Sequence, residues 1–99
     1  MAYSYVMDIE LSRESLTEVN DIIVKISKLF RERHNADLEV YSPATGNVLR
    51  IFAIIRFENL TKFEELMKSA AEDTELRKLE QTFHSMAINT EYNLYCELC

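Results

Sequence analysis

The chain has 99 residues, of which 11 are Lys or Arg and 17 are Asp or Glu, for a formal net charge of −6. That length fits one domain spanning residues 1–99 with a single core, and a hydrophobic share of 47% with 28% charged residues excludes a disordered tail. The acidic balance argues against a phosphate backbone as main partner, so nucleic acid is not expected.

No apolar run approaches the roughly 20 residues of a membrane span, and no membrane association is expected. The opening Met1-Ala2-Tyr3-Ser4-Tyr5 carries no basic segment leading into an apolar one, so no secretory signal is visible. Cys96 and Cys99 sit at the C-terminus, where they cannot staple the body of the fold. A reducing, cytoplasmic setting is expected, with the Asn59-Leu60-Thr61 sequon idle. Gly46 and Pro43 are the sole glycine and proline. Phosphate-cradling loops, dinucleotide fingerprints and strained nucleophile elbows need more glycines, and a single Cys-x-x-Cys makes no paired zinc site.

Residues 3–11 alternate, with Tyr3, Tyr5, Met7, Ile9 and Leu11 on one side and Ser4, Val6, Asp8 and Glu10 on the other, which predicts a strand. Ser12 offers an N-cap, and from Leu16 the period becomes helical: Leu16, Val19, Ile22, Ile23, Ile26, Leu29 and Phe30 share one side. This helix runs for about 20 residues, near 30 Å. Leu38 and Val40 mark a short strand with Glu39 and Tyr41 on its other face, and Pro43 to Gly46 turn the chain. Residues 47–57 are apolar on both faces, the signature of a central strand. Thr61 and Glu64 form a capping box for a second helix, whose period breaks at Glu72-Asp73-Thr74. A shorter helix follows with Leu76, Leu79 and Phe83 inside, and the acidic excess of residues 58–99, nine acids against four bases, reads as a solvated helix face. Residues 86–98 alternate again, with Ile88, Tyr92, Leu94, Cys96 and Leu98 on one side, and Cys96 is expected to be buried.

The order β-α-β-β-α-(α)-β is the split βαβ pattern of the ferredoxin-like α+β fold, with helices on one face of a four-stranded antiparallel sheet. The other face displays Val48, Phe52 and Ile54 between Arg50 and Arg56. An apolar sheet face of that size usually meets something, and a second copy of the chain is the expected partner.

The segment Gly46-Asn47-Val48-Leu49-Arg50-Ile51-Phe52-Ala53-Ile54-Ile55-Arg56-Phe57-Glu58-Asn59-Leu60-Thr61-Lys62-Phe63-Glu64-Glu65-Leu66 resembles the dimeric α/β-barrel superfamily. Asp73-Thr74-Glu75-Leu76 is similar to the Asp-Pro-Glu-Trp turn of its NIPSNAP-type members, with Thr74 in place of proline and Leu76 in place of tryptophan. The resemblance implies a homodimer in which two sheets pack face to face, and a small ligand between sheet and helices. It also implies a choice among cofactor-free monooxygenases, isomerases, and proteins without catalysis; no cofactor is expected. Arg50-Ile51-Phe52-Ala53-Ile54-Ile55-Arg56-Phe57 is also similar to the RNP1 strand of RNA-recognition motifs, but Ile51 replaces its glycine and Ile54 an aromatic that should stack on a base.

Pairing of the first and third strands is expected to set Asp8 near Phe52, Glu10 near Arg50 and Ser4 near Arg56, all on the face away from the helices. The functional reading is a polar pocket in which Arg50 or Arg56 binds an anionic or carbonyl group and Asp8 or Glu10 acts as a base. Tyr41 joins the arginines as a candidate ligand contact. The structural reading is cross-strand ion pairs inside a dimer interface. His34 and His84 each end a helix, where the dipole favours them; His84, among aromatic and apolar neighbours, is the stronger candidate base. No metal site is expected from two histidines so placed.

Overall fold

A computed structural model describes residues 2–13, 16–43 and 49–98. The elements are β1 (Tyr3–Leu11), α1 (Leu16–His34), β2 (Glu39–Tyr41), β3 (Arg50–Phe57), α2 (Leu60–Glu72), α3 (Thr74–Met86) and β4 (Ala87–Cys96). They form a four-stranded antiparallel sheet of order β2-β3-β1-β4, the ferredoxin-like α+β arrangement expected. The turn around Gly46, the side chain of Leu16, and Val48 and Cys99 lie outside the described residues.

Period two puts Ile9 and Leu11 of β1, and Ile51, Ile55 and Phe57 of β3, on the side that meets the helices. Val19, Ile26 and Phe30 of α1, Leu66 of α2, and Leu76 and Phe83 of α3 close over them. Leu76 is 0% exposed. The β1–β3 register is the expected one: Ser4 faces Arg56, Asp8 faces Phe52, and Glu10 faces Arg50.

α1 ends at Asn35, whose φ of 50° is the left-handed conformation that asparagine tolerates, and the Ala36 N–H turns back to the Phe30 carbonyl at 3.1 Å. The N-cap of α2 is Asn59, not Thr61: its extended backbone and side-chain oxygen, 2.9 Å from the Lys62 N–H, open the helix two residues earlier than the Thr61–Glu64 box implied. Asparagine is the stronger cap, so Thr61 falls inside the first turn. The predicted break after Glu72 is one residue wide. Asp73 ends α2 through its N–H to the Ala70 carbonyl and begins α3 by accepting from the Leu76 N–H at 3.1 Å.

β4 departs from plain alternation. Its register with β1 shifts between Glu10 and Leu11, so that Asn89 faces Glu10 and Ala87 faces Leu11. Ile88 is the extra residue, 65% exposed and outside the stripe expected for it. Tyr92, Leu94 and Cys96 do share the helix-side face, opposite Met7, Tyr5 and Tyr3. Cys96 is nevertheless exposed, because β4 is an edge strand whose last residues run past the helices. Leu98 lies beyond the strand and is exposed too. Among the described residues no helix is long and apolar enough to cross a membrane.

Candidate functional site

Between sheet and helices lies a cavity of about 400 Å³, within the range of small-molecule sites. Tyr5, Met7 and Ile9 of β1 and Ile51, Ala53 and Ile55 of β3 form its floor. α1 contributes Ile23, Ile26 and Phe30, and α2 contributes Met67, Ala70 and Ala71. The space exists because alanines stand at Ala53, Ala70 and Ala71, where larger side chains would meet across the gap.

The polar lining is confined to Arg77, Glu80 and His84 of α3, with Tyr5 and Tyr92 from the sheet. Spacing of three and four residues puts the first three along one face of α3. The Tyr92 hydroxyl lies 2.9 Å from His84 Nε2 and 3.2 Å from Nδ1, and the Tyr5 and Tyr92 rings stack at 6.1 Å. Burial raises the Tyr5 and Tyr92 phenols above their ordinary values, with the charge of Glu80 adding to both. Burial also raises the Glu80 carboxyl, outweighing the attraction of Arg77, and the charge of Asp73 pushes it the same way.

Of the residues singled out from sequence, His84 alone lines this cavity. Asp8, Glu10, Arg50, Arg56 and Tyr41 stand on the opposite, open face of the sheet, in two clusters. Arg50 donates to both oxygens of Asp8, at 2.6 and 3.3 Å, and so prefers its diagonal neighbour to Glu10 directly across. In the second cluster Arg56 donates to Glu39 at 2.7 Å and the Tyr41 hydroxyl to the other oxygen of Glu39 at 2.6 Å. The Tyr41 hydrogen bond and then Arg56 hold the Glu39 carboxyl below the usual range. Glu39 is thus the centre of a cluster in which sequence reasoning had named only the two donors. Both arginines of the RNP1-like strand are occupied by carboxylates.

Glu80 and Arg77 were missed. Reading Leu76, Leu79 and Phe83 as the inner stripe left the polar residues of α3 to solvent. The available signal was that Glu80 stands four residues after Leu76 and three before Phe83, within the inward stripe.

His34 has a fixed role outside the cavity. Its Nε2 lies 2.9 Å from Asp73 Oδ2 and its Nδ1 2.7 Å from Ser69 Oγ, with the His34 and Asp73 side chains only 5% and 8% exposed. Arg33 adds ion pairs to Asp73 and Glu75, so the end of α1 is clamped to the α2–α3 joint. The hydrogen bond with His34, then the Leu76 N–H, hold the Asp73 carboxyl below the usual range. A carboxyl depressed in the folded state contributes stability above about pH 4 and loses it as pH falls through the folded value. The melting temperature should therefore fall on acidification below about pH 4. Asp73→Asn should melt lower near neutrality with a flatter acid branch. An unchanged acid slope in the variant would assign the loss to other carboxylates. Among the described residues no group of three or more His, Cys, Asp or Glu could hold a metal ion.

No protein-family model matches the chain, and no curated protein matches it in sequence. Solved structures do match in fold. A conserved protein from Methanosarcina mazei superposes with a TM-score of 0.79 at 12% identity, over 96% of this chain and 91% of the other. A NIPSNAP family protein from Agrobacterium tumefaciens gives 0.78 at 10% identity, over 99% and 94%. SnoaB, a cofactor-independent oxygenase from Streptomyces nogalater, gives 0.76 at 8% identity, over 97% and 92%. The chain therefore has the ferredoxin-like fold seen in NIPSNAP proteins and in antibiotic biosynthesis monooxygenases, as the resemblance implied.

Proposed function

We propose that this protein binds a small molecule with a largely apolar body in the cavity between sheet and helices, and works as a homodimer joined through the open face of the sheet. The observation that carries the first part is the cavity itself: about 400 Å³, apolar on most of its wall, with its polar groups gathered along α3 and the two stacked tyrosines. A few convergent polar groups in an apolar space orient a ligand. The likeness in fold to a cofactor-independent oxygenase supports oxygenation without a cofactor as the chemistry. His84, hydrogen-bonded to Tyr92, is then the candidate base. Asp8, Glu10, Arg50, Arg56 and Tyr41 are assigned to the dimer interface, where paired charges fix register between two sheets. A count of two cysteines in 99 residues suits a cytoplasmic setting.

The RNA reading loses support because the two arginines it would use are ion-paired on an acidic chain. A purely structural dimer remains the rival, and the cavity separates the two. N-phenyl-1-naphthylamine, an uncharged fluorescent probe, should brighten on binding the wild-type protein. Ala53→Phe, placed on the floor, should weaken that binding by about tenfold or more. Fluorescence that ignores the filled cavity would put the probe elsewhere and favour the structural dimer.

A further inference from the structure

We propose that the molecule held in this cavity is a hydrophobic amine, whose ammonium group is received by Glu80. The inference rests on the cavity being a ligand site and names the class of ligand. Glu80 projects from α3 into a lining that is apolar and aromatic apart from Arg77 and His84. Among the described residues its carboxylate accepts no hydrogen bond and forms no ion pair, whereas Asp8 and Glu39 of the open face and Asp73 of the α2–α3 joint do both. Arg77, one turn earlier on the same helix, attracts it through space without contact. A carboxylate taken part-way out of water without a partner is costly, and a cation brought by the ligand supplies the missing one.

The surroundings fit that cation. Tyr5 and Tyr92 lie near enough for the charge of Glu80 to act on both phenols, and their rings are stacked at 6.1 Å. Phe83 completes an aromatic edge on the same side. Ring faces attract an ammonium group, and an aliphatic or aromatic body fills the apolar remainder. Arg77, the other charged residue of the lining, is exposed whereas Glu80 is half-buried, so a ligand seated in the apolar part of the cavity meets the carboxylate and not the guanidinium. The net charge of −6 draws cations toward the molecule and repels anions.

The test is displacement of N-phenyl-1-naphthylamine by three molecules of one shape: 1-naphthylmethylamine, 1-methylnaphthalene and 1-naphthoate. In wild type the amine should displace the probe at a concentration about tenfold or more below that of the hydrocarbon, with the carboxylate weakest. Glu80→Gln, of the same shape, should still bind the probe but treat amine and hydrocarbon alike. Glu65→Gln removes the same charge from the exposed side of α2 and should leave the preference intact. Equal displacement by amine and hydrocarbon in wild type would overturn the proposal and leave the cavity reading standing. So would a preference that survives Glu80→Gln or is lost equally in Glu65→Gln. A probe signal indifferent to Ala53→Phe would overturn both readings. Thermal melting of each variant shows that a lost preference is not a lost fold.

Discussion

Replacing Leu76 by alanine is expected to destabilise the protein by about 3 kcal/mol and to lower its melting temperature by roughly 15 °C. Leu76 is 0% exposed and sits in the first turn of α3, packed into the cluster that also holds Val19, Phe83 and the β1 and β3 residues beneath. Removing a fully buried leucine costs the transfer of its methyl and methylene groups plus the void left behind. In a domain of this size the whole stability is only about 5–10 kcal/mol, so this one change removes a large part of it. Leu76→Met keeps the volume and should cost under about 1.5 kcal/mol. Leu76 does not line the cavity between sheet and helices, so the proposed probe binding should persist below the lowered melting point. Chemical and thermal denaturation of the two variants measure both values. A loss below about 1 kcal/mol for alanine would mean that the first turn of α3 is not anchored as described.

The second large effect is on assembly. In the proposed homodimer, Phe52→Asp is expected to separate the two copies, raising the dissociation constant by about a hundredfold or more. Phe52 lies at the middle of the open face, with Val6 and Ile54 beside it and the Asp8–Arg50 and Glu39–Arg56 pairs to either side. Its direct cross-strand neighbour is Asp8, so an aspartate there sets two carboxylates against one another. In a two-fold dimer every substitution appears twice across the same interface, which doubles the penalty. Light scattering over a dilution series reads the result, with far-ultraviolet circular dichroism reporting that the monomer is folded. A wild-type protein that is monomeric throughout would remove the open face as a self-association surface and leave the cavity reading untouched.

The parts of the fold legible in the sequence are those set by periodicity. Alternation over residues 3–11, with the run 47–57 apolar on both faces as a central strand beside it, gives which side chains share a face, and the β1–β3 register is the one expected from pairing those faces. Asp8, Glu10, Arg50, Phe52, Ile54 and Arg56 stand on the open face that pattern assigns them. Three features escaped for distinct physical reasons. Arg50 takes Asp8 instead of Glu10 because a long guanidinium reaches the diagonal position, and pattern alone cannot choose between two carboxylates. Ile88 leaves the stripe because a bulge inserts one residue, and nothing in the run Ala87-Ile88-Asn89 marks where the ladder slips. The cavity is defined by missing volume at Ala53, Ala70 and Ala71, and an alanine on an inward face reads as core whether or not its neighbours close over it. Glu80 was assigned to solvent for the same reason. A charged residue within an inward stripe becomes meaningful only once the stripe is seen to border a space.

The joint at Asp73 couples two helices in phase as well as in position. With only one residue between α2 and α3, the angular setting of each helix about its own axis is tied to that of the other. Each added residue turns a helix by about 100° and advances it by about 1.5 Å. A residue inserted into α3 just after the buried Leu76 would swing Arg77, Glu80 and His84 by about that angle away from the cavity. The wall chemistry of the cavity is therefore encoded as much by a count of residues as by their identity. Substitution can retune what the cavity accepts, whereas insertion at this point would separate its polar wall from its apolar floor.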